Sequence, residues 1–593
     1  MKKNVLVIFK KTLSQKEKKI LRDNSQYQVI IARSELKKEI EDSGCAWTSL
    51  EDFLDAGSIY TANALVQELS QLTTPEGARL SKSFIYKGYE LWWINYDTLF
   101  FLYCLPYSQY KRLLEHLVDY EDIYLYEPPF QRLFGCFLNA YGKKFKILRE
   151  PGLRSPSFLP LGVFLQILLT LAFLPILMIQ RRSIMVYISD EFHKSKDYHF
   201  RMGFIYEELR KKNLPFVEFI RSIEPWRTVI QHAFHRKRPV LYTDAVSFIA
   251  RFMSYVTGGR LMAKYTFNAL RTSARHTPEQ QFKLNVATQY LLCVYDDVWA
   301  IRIMRVILHL IGVKSALIVA AMGRNFQCVL GCKLNNIPII GILHGVASQH
   351  YNVYDFMPQY DGEKVLSVDK YGVWSDWWKE YYATYSRVYK KEQLYVSGPM
   401  RPMIEGETTE YAKRNISGPI KVLLVSEQLA VPEEVLPYLE ALMKDAGISL
   451  YIVFRPYLDG FGTWLEKYHP DILEKIGEDH IFRNGIKEGI PVCDVIVGSH
   501  STAVLEALLV LKPMVFFFTK KWGDYFDLKE YPDRTFLAEN PTELLEKVRI
   551  STNASVEVLQ DLQKRFFGNP YQNGSKWAIE EIEKVLASQK KGD

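Results

Sequence analysis

Cysteine is scarce in this chain, and what there is does not form a framework. The seven residues, Cys45, Cys104, Cys136, Cys293, Cys328, Cys332 and Cys493, are odd in number and sit mostly in apolar surroundings. That argues against a disulfide-built secreted scaffold and reads as reduced thiols in a cytosolic compartment. Cys328 and Cys332 would share a helix face, yet no further Cys or His stands at zinc-ligand spacing, so no metal site is expected. The sequence also lacks a GxxxxGKS/T loop, an HExxH helix, a GxSxG elbow and a GxGxxG turn after the first strand. ATPase, zinc protease, serine hydrolase and dinucleotide oxidoreductase readings therefore have no motif to stand on. No internal repeat or low-complexity tract is found. Charge of either sign never gathers into a tail, and a net charge of +8 is modest for 593 residues. It favours anionic partners weakly and does not call for nucleic acid. The aromatic stretch DKYGVWSDWWKEYYATYSRVY lacks the interleaved basic residues of a single-strand binder, so packing or sugar stacking is expected there.

What is present is enough apolar sequence, 48% of the chain, to bury several cores, so a multidomain protein is expected. The N-terminal MKKNVLVIFKKTLSQ has the lysines of a signal peptide, but lysines follow its short apolar run at once, and it reads as a first β-strand. The one segment of membrane character is internal. Residues 158–179, FLPLGVFLQILLTLAFLPILMI, carry no charge and are about long enough to cross a bilayer. Arginines flank it on both sides (Arg149 and Arg154, then Arg181 and Arg182), so the positive-inside rule gives no orientation. Pro160 and Pro175 interrupt it, which suits a bent or interfacial element. A membrane-surface or re-entrant element is the leading reading, with a span and a buried core helix as alternatives.

Strand and helix patterns alternate along the rest of the chain, which implies parallel sheets with helical crossovers. Residues 1–150 form an N-terminal α/β region with strands expected at 4–9, 27–32, 122–126 and 144–148. After the hydrophobic segment at 151–183, an α/β domain is expected over 184–400. It includes SIMVYIS, PFVEFI, PVLYTD, a long helix over 278–311, SALIVAA, a helix over 325–334 and IPIIGILHG. Residues 401–419 read as a linker. A final α/β domain over 420–593 carries KVLLVSE, SLYIVFRP, HIFR, DVIVGS and PMVFFFT, then C-terminal helices.

Ligands of open parallel sheets bind at the carboxyl ends of the strands, so the residues that follow each strand are the candidates. In the last domain these are Glu427 and Gln428 after KVLLVS, Arg455 before Pro456, Gly498, Ser499, His500, Ser501 and Thr502, and Lys520 after MVFFFT. The sequence VLEALLVL places Val504, Leu505, Leu508 and Leu509 on one helix face, with Ser501 and Thr502 at its N-terminus. A phosphate there would meet unpaired N–H groups and the positive end of the dipole, and a simple N-cap is the alternative. Glu506, one turn in, is placed to accept from a ribose. In the preceding domain the strand ends carry Asp190 and Glu191, Asp244, Gly323 and Arg324, and His344 with Gly345. A cleft-facing histidine such as His344 can act as a general base near neutral pH, and Gly345 lets a ligand approach closely. His350 is a weaker candidate of the same kind, and Arg201 a weak one for an anionic acceptor.

Four stretches in fixed order carry a family resemblance. They are NFQCVLGCKLNNIPIIGILHGV; YGVWSDWWKEYY followed by QLYVSGPMRP; CDVIVGSHSTAVLEALLVLKPMVFF; and FLAENPTELLEKV, over about residues 315–550. Together they resemble bacterial surface-carbohydrate and capsule glycosyltransferases of the GT-B fold, a group akin to the CDP-glycerol glycerophosphotransferases. The resemblance implies two Rossmann-like domains with the active site in the cleft between them, a nucleotide-activated donor held by the C-terminal domain, and an acceptor on the N-terminal side. It matches His344 to the family's His-Gly histidine, Ser501 and Thr502 to the hydroxyls on the donor phosphates, and Glu506 to the glutamate of the same helix. Where relatives often have His-Pro, this chain has Arg455-Pro456, and an arginine binds phosphate but is a poor proton donor. That places sugar transfer ahead of polyol-phosphate transfer.

The expectation is therefore a metal-independent glycosyltransferase without a cofactor, using a nucleotide sugar and a surface-glycan or lipid-linked acceptor at the cytoplasmic face of the plasma membrane. Arg455 and Lys520 would neutralise leaving-group charge while His344 activates the acceptor hydroxyl, with Asp190, Asp244 and Gly345 on the acceptor side. The rivals are a polyol-phosphate transferase, a nucleotide-sugar 2-epimerase, a scaffold of the same fold without activity, and a membrane-spanning protein with domains on both sides.

Overall fold

The computed structural model describes residues 2–590 except 16, 19–26, 42–44, 56, 58, 74–76, 150–158, 189–201, 221–225, 228, 231–239, 273–276, 320–324, 346–347, 351–354, 358–359, 404–417, 428–430 and 456–459. The chain divides into two units, Met1–Phe200 with Leu214–Ile339 and Gln359–Ser367, and Arg201–Asn213 with Ile340–Pro358 and Val368–Asp593.

The first unit opens with β1 (Lys2–Ile8), β2 (Val29–Ala32), β3 (Ala46–Ser49), a small hairpin of β4 (Ile85–Tyr86) and β5 (Tyr89–Glu90), then β6 (Tyr120–Tyr126), helix α1 (Gln131–Ala140) and β7 (Lys144–Arg149). Apart from the hairpin these strands form a parallel sheet in the order β3-β2-β1-β6-β7. Its winding reverses between β1 and β6, the doubly wound pattern of open parallel α/β sheets. Helix α2 (Leu159–Gln180) follows, and its segment Leu161–Gln180 is long and apolar enough to cross a membrane, with mean hydropathy 2.4. A second parallel group then runs through β8 (Ile184–Ile188), β9 (Phe216–Ile220), β10 (Val240–Tyr242) and β11 (Ser315–Ile318), in the order β10-β9-β8-β11. Between β10 and β11 lie α3 (Thr243–Val256), α4 (Gly259–Thr272) and α5 (Pro278–Ile311), and α6 (Asn325–Lys333) follows β11. The ends of α5 are written in its sequence. Thr277 Oγ1 accepts from Gln280 N–H at 3.3 Å while the Gln280 side chain accepts from Thr277 N–H at 3.0 Å, Pro278 opens the first turn, and Gly312 closes the helix at φ 78°. Five of the seven cysteines are buried, Cys328 and Cys332 together on α6.

The second unit contains β12 (Ile339–Ile342), which starts at the boundary, β13 (Lys370–Val373), helix α7 (Asp376–Tyr385) and β14 (Leu394–Val396), all three strands parallel. A six-stranded sheet follows, built from β15 (Ile420–Val425), β16 (Ile448–Val453), β17 (Ile481–Phe482), β18 (Val495–Gly498), β19 (Met514–Phe517) and β20 (Leu537–Ala538). Its order is β17-β16-β15-β18-β19-β20, with every pair parallel. One face buries Val422, Leu424, Ile452, Val497 and Val515 against helix α8 (Pro432–Lys444), which supplies Leu439 and Leu442. Each such side chain contributes about 1.5–3 kcal/mol of burial. The last helices, α9 (Val556–Phe567) and α10 (Gly574–Lys590), return to the β12–β14 strands. Trp374 stacks on Phe567 with centroids 5.3 Å apart, Trp378 Nε1 donates to the Phe566 carbonyl at 3.0 Å, and Lys370 pairs with Glu581 at 2.5 Å. The fold class read from strand–helix alternation, α/β with parallel Rossmann-like sheets, is what the structure has.

Candidate active site

The six-stranded sheet reverses its winding between β15 and β18, and this is where the polar strand ends of the second unit converge. Glu427 leaves β15 with its carboxylate fully inside the protein. Its Oε1 accepts from the backbone N–H groups of Ser499 at 3.1 Å, His500 at 3.0 Å and Ser501 at 2.8 Å. Its Oε2 accepts from the Ser499 hydroxyl and lies 2.6 Å from His500 Nδ1. Burial works to raise this carboxyl, but the His500 charge and hydrogen bonds, with those of Ser499, hold it below the usual range. Three successive N–H groups thus form an anion nest, and the anion in it is a side chain of the same domain. Gly498 makes room for this arrangement, because a Cβ there would fall 2.6 Å from Val504 Cγ2 and 3.2 Å from Glu427 Oε1.

The segment after the nest departs from the expected helix. Thr502–Leu505 is a single α-turn, and Glu506–Val510 continues it as 3-10 helix. The buried residues are Val504, Leu505, Ala507 and Leu508, pairs three apart, which matches a repeat of three residues per turn. Leu509, placed by the 3.6-residue pattern on the inner face, is only partly buried. Ser501 is the N-cap, its Oγ accepting from Ala503 N–H at 3.2 Å. Ser499 and Ser501 therefore have structural partners already. Thr502 lies beside the β12 strand end instead, since a Cβ built on Gly345 would come 3.9 Å from its Oγ1.

His344 and Gly345 leave the carboxyl end of β12 partly buried. The loop they open is fastened further on by Gln349 and His350. Gln349 N–H donates to Tyr381 Oη at 3.2 Å and its Nε2 to Asp527 Oδ2 at 3.2 Å, while His350 Nε2 lies 2.9 Å from Asp527 Oδ1. Asp527 reaches this position from a left-handed backbone conformation, φ 51°. Arg565 Nη2 donates to its carbonyl at 3.2 Å. Close by, Asp524 accepts from Leu528 and Lys529 N–H at 2.9 and 2.7 Å, and burial raises its carboxyl. Sequence reasoning named His350 but missed Asp524 and Asp527. The signal for them was a pair of aspartates among aromatics, GDYFD, just beyond a strand end.

Glu506, at the junction of the α-turn and the 3-10 turn, is partly buried. Burial raises its carboxyl while the charges of Lys487 and Arg401 act in the opposite direction. Arg455 stands exposed at the end of β16, and Lys520 is exposed beyond β19, next to Lys521, whose ammonium lies 5.0 Å from the Trp522 ring. Trp522 in turn stacks on His500 at 4.6 Å. The sheet order therefore brings Glu427, Arg455, Gly498, Ser499, Ser501, Thr502 and Lys520 to one edge, with Gly345 against Thr502. Asp244 belongs to the first unit, buried in the first turn of α3. Asp190, Glu191, Arg201, Gly323, Arg324, Gln428 and Pro456 lie outside the described residues. Among the described residues no cluster of three or more His, Cys, Asp or Glu side chains is arranged to hold a metal ion.

No family model matches the chain, and no curated protein matches it. Solved structures similar to it include a glycosyltransferase from Rickettsia africae, at 12% identity and TM-score 0.36, covering 68% of this chain and 98% of that one. They also include the Methanocaldococcus jannaschii UDP-GlcNAc 2-epimerase in complex with UDP-GlcNAc and UDP, at 10% identity and TM-score 0.39, covering 68% and 99%. The glycotransferase of kitacinnamycin is similar at 12% identity and TM-score 0.39, covering 68% and 99%. At such values neither reaction nor substrate passes from them to this chain.

Proposed function

We propose that the chain is a glycosyltransferase of GT-B type that moves a sugar from a nucleotide-activated donor to a surface-glycan or lipid-linked acceptor. The observation that carries this reading is the meeting of the β12 strand end, His344-Gly345, with Thr502 at the winding reversal of the six-stranded sheet. Two sets of strand-end residues then face one place, as a two-substrate transfer needs. The order of the four motif stretches supports the same assignment. On this reading the diphosphate lies against Thr502 and the exposed guanidinium of Arg455, with Lys520 as a further cation. Neutralising charge on the departing nucleotide lowers the barrier without a proton donor. Glu427 keeps the loop in shape from below, and His344 orients or deprotonates the acceptor hydroxyl. The His350–Asp527 pair holds the far end of the histidine loop in place.

The test is calorimetric titration of the purified full chain with UDP, CDP, CMP, GDP and dTDP and their sugars, comparing wild type with Thr502→Ala and Arg455→Ala. One nucleotide bound by wild type and weakened about tenfold or more by either substitution is the expected result. Incubation with the matching nucleotide sugar then separates the chemistries. Free epimeric product without acceptor would make the chain an epimerase, and phosphodiester product a polyol-phosphate transferase. A folded wild type that binds none of the nucleotides would remove the donor site and leave a scaffold.

A further inference from the structure

Helix α2 is inside out. Its inward positions hold Gly162, Gln166 (1% exposed) and Thr170 (4%) before the apolar Leu177 near its end, while Leu161, Phe164 (56%), Leu168 and Leu171 face outward. The outward residues recur every three or four positions, so they form one continuous stripe. Thr170 earns its inward place by accepting from the N–H of Tyr242 at 3.2 Å. The same inversion occurs in the two helices that follow in space. In α3, Ala250 and Ser254 are buried and Phe248, Phe252 (60%), Tyr255 and Val256 are exposed, and in α4 Ala263 is buried while Leu261, Met262 and Tyr265 (74%) are exposed. Small residues permit close packing between them, since a Cβ on Gly259 would fall 2.7 Å from Ser254 Oγ. Helix α3 packs against both α2 and α4. A water-facing helix places its polar side outward, and three neighbouring helices that do the opposite mark an apolar surroundings.

We propose that α2, α3 and α4 together form an in-plane membrane-binding face that dips into one leaflet of an anionic bilayer without crossing it. Charge identifies the occupant. Neither α2 nor α4 contains an acidic residue, and Arg181 and Arg182 follow α2 directly. Basic residues beside outward Phe, Tyr and Leu suit the boundary between acyl chains and anionic headgroups. A second copy of the chain would bring these cations against each other. An in-plane element fits better than a span because one flank of α2 packs along α3, α5 and strand β10 of the same α/β layer. The region before α2 stays on the same side as the region after it, because α1 packs on α5 and Asn285 Nδ2 donates to the Cys136 carbonyl at 2.8 Å. This inference does not depend on the reaction the protein catalyses.

The test is flotation of the purified full chain with vesicles of phosphatidylcholine alone and with phosphatidylglycerol added. Wild type is expected to float with the anionic vesicles and less with the neutral ones. Phe248→Ser/Phe252→Ser/Tyr265→Ser is expected to lower the bound-to-free ratio roughly a hundredfold, with an unchanged circular-dichroism melt because the three residues are exposed. Arg181→Glu/Arg182→Glu should lower binding to anionic vesicles alone. Three results overturn the proposal. The triple variant floats as wild type does, which would leave α2 as the whole anchor. Wild type fails to float with either vesicle. Sedimentation equilibrium shows a dimer that the triple variant splits, which would make the face an interface between copies.

Discussion

Replacing Glu427 with glutamine tests whether this residue holds the loop or touches the donor. The carboxylate accepts three backbone N–H groups on Oε1, and its Oε2 takes the Ser499 hydroxyl and faces His500 Nδ1. In Glu427→Gln the amide oxygen can keep the three N–H groups. The new NH2 faces the Ser499 hydroxyl, which must turn round, and His500 Nδ1 in place of a carboxylate oxygen. Charge assistance is lost throughout, at a cost of about 3 kcal/mol, and Glu427→Ala, which leaves the N–H groups without their acceptor, costs about 5 kcal/mol. Because the chain divides into two units, a global melt would blur the effect, and hydrogen exchange of the peptide covering residues 495–505 reads it locally. The expected outcome is a loss of protection at Ser499, His500 and Ser501 of about two orders of magnitude in the glutamine variant. The pH dependence has a definite sign. A carboxyl depressed on folding stabilises the fold above its unfolded pKa and loses that contribution as pH falls through its folded value, so protection at these amides should fall on acidification. Unchanged protection in Glu427→Gln, together with lost nucleotide binding, would refute the reasoning and return Glu427 to the donor.

Gly498→Ala should destabilise the second unit by about 1–3 kcal/mol, read by denaturant unfolding, because its methyl meets Val504 Cγ2 at 2.6 Å in a closed core. Leu439→Ala, fully buried under the six-stranded sheet, should cost about 3 kcal/mol by the same measurement without altering nucleotide affinity. Asp355 is sealed beneath Tyr371, Tyr382 and Tyr389, with hydroxyls at 3.2–3.3 Å, and burial, against those hydrogen bonds, raises its carboxyl to about 6. A raised carboxyl stabilises below its unfolded pKa and loses that contribution as pH rises through its folded value. The second unit should therefore lose about 3 kcal/mol between pH 4 and 7 relative to an Asp355→Asn variant, which equilibrium unfolding across that range would show. Asp527→Asn should leave the fold intact but loosen His350 and Gln349, seen as faster exchange of the Gln349 amide.

Where the sequence carried complete local signals, the structure follows them. Helix α5 runs over Pro278–Ile311, the range expected, because a capping pair, a proline and a glycine mark its ends in the primary structure. The buried parallel strands are legible as short apolar runs, though their ends move: β6 and β7 extend beyond the expected 122–126 and 144–148 to Tyr120–Tyr126 and Lys144–Arg149, while β12 and β16 stop at Ile342 and Val453, before their polar strand ends. The elements not anticipated lack such signals. β3 is a largely unburied edge, Ala46–Ser49, without an apolar run, and β20 is two residues long. The helix expected after Thr502 is an error of period. Apolar residues at 504, 505, 508 and 509 fit a 3.6-residue repeat, and 504, 505, 507 and 508 fit a repeat of three equally well. Burial of Ala507 rather than Leu509 decides for the tighter turn.

The site was legible to a similar depth and for the same reason. Strand ends mark where polar residues gather, but they do not say which groups will satisfy one another. The hydroxyls and glycine of Gly498-Ser499-His500-Ser501-Thr502 have the composition of a phosphate cradle, and the nest they form does hold an anion. That anion arrives from Glu427, 72 residues before Ser499, and only the adjacency of β15 and β18 brings it there. The consequence is functional rather than incidental. With three N–H groups and two side chains tied to one buried carboxylate, the loop is rigid before any ligand arrives, and Thr502 is presented toward Gly345 without further ordering. On the proposed function, a donor at that edge would meet groups already in position, with little binding energy going into arranging them.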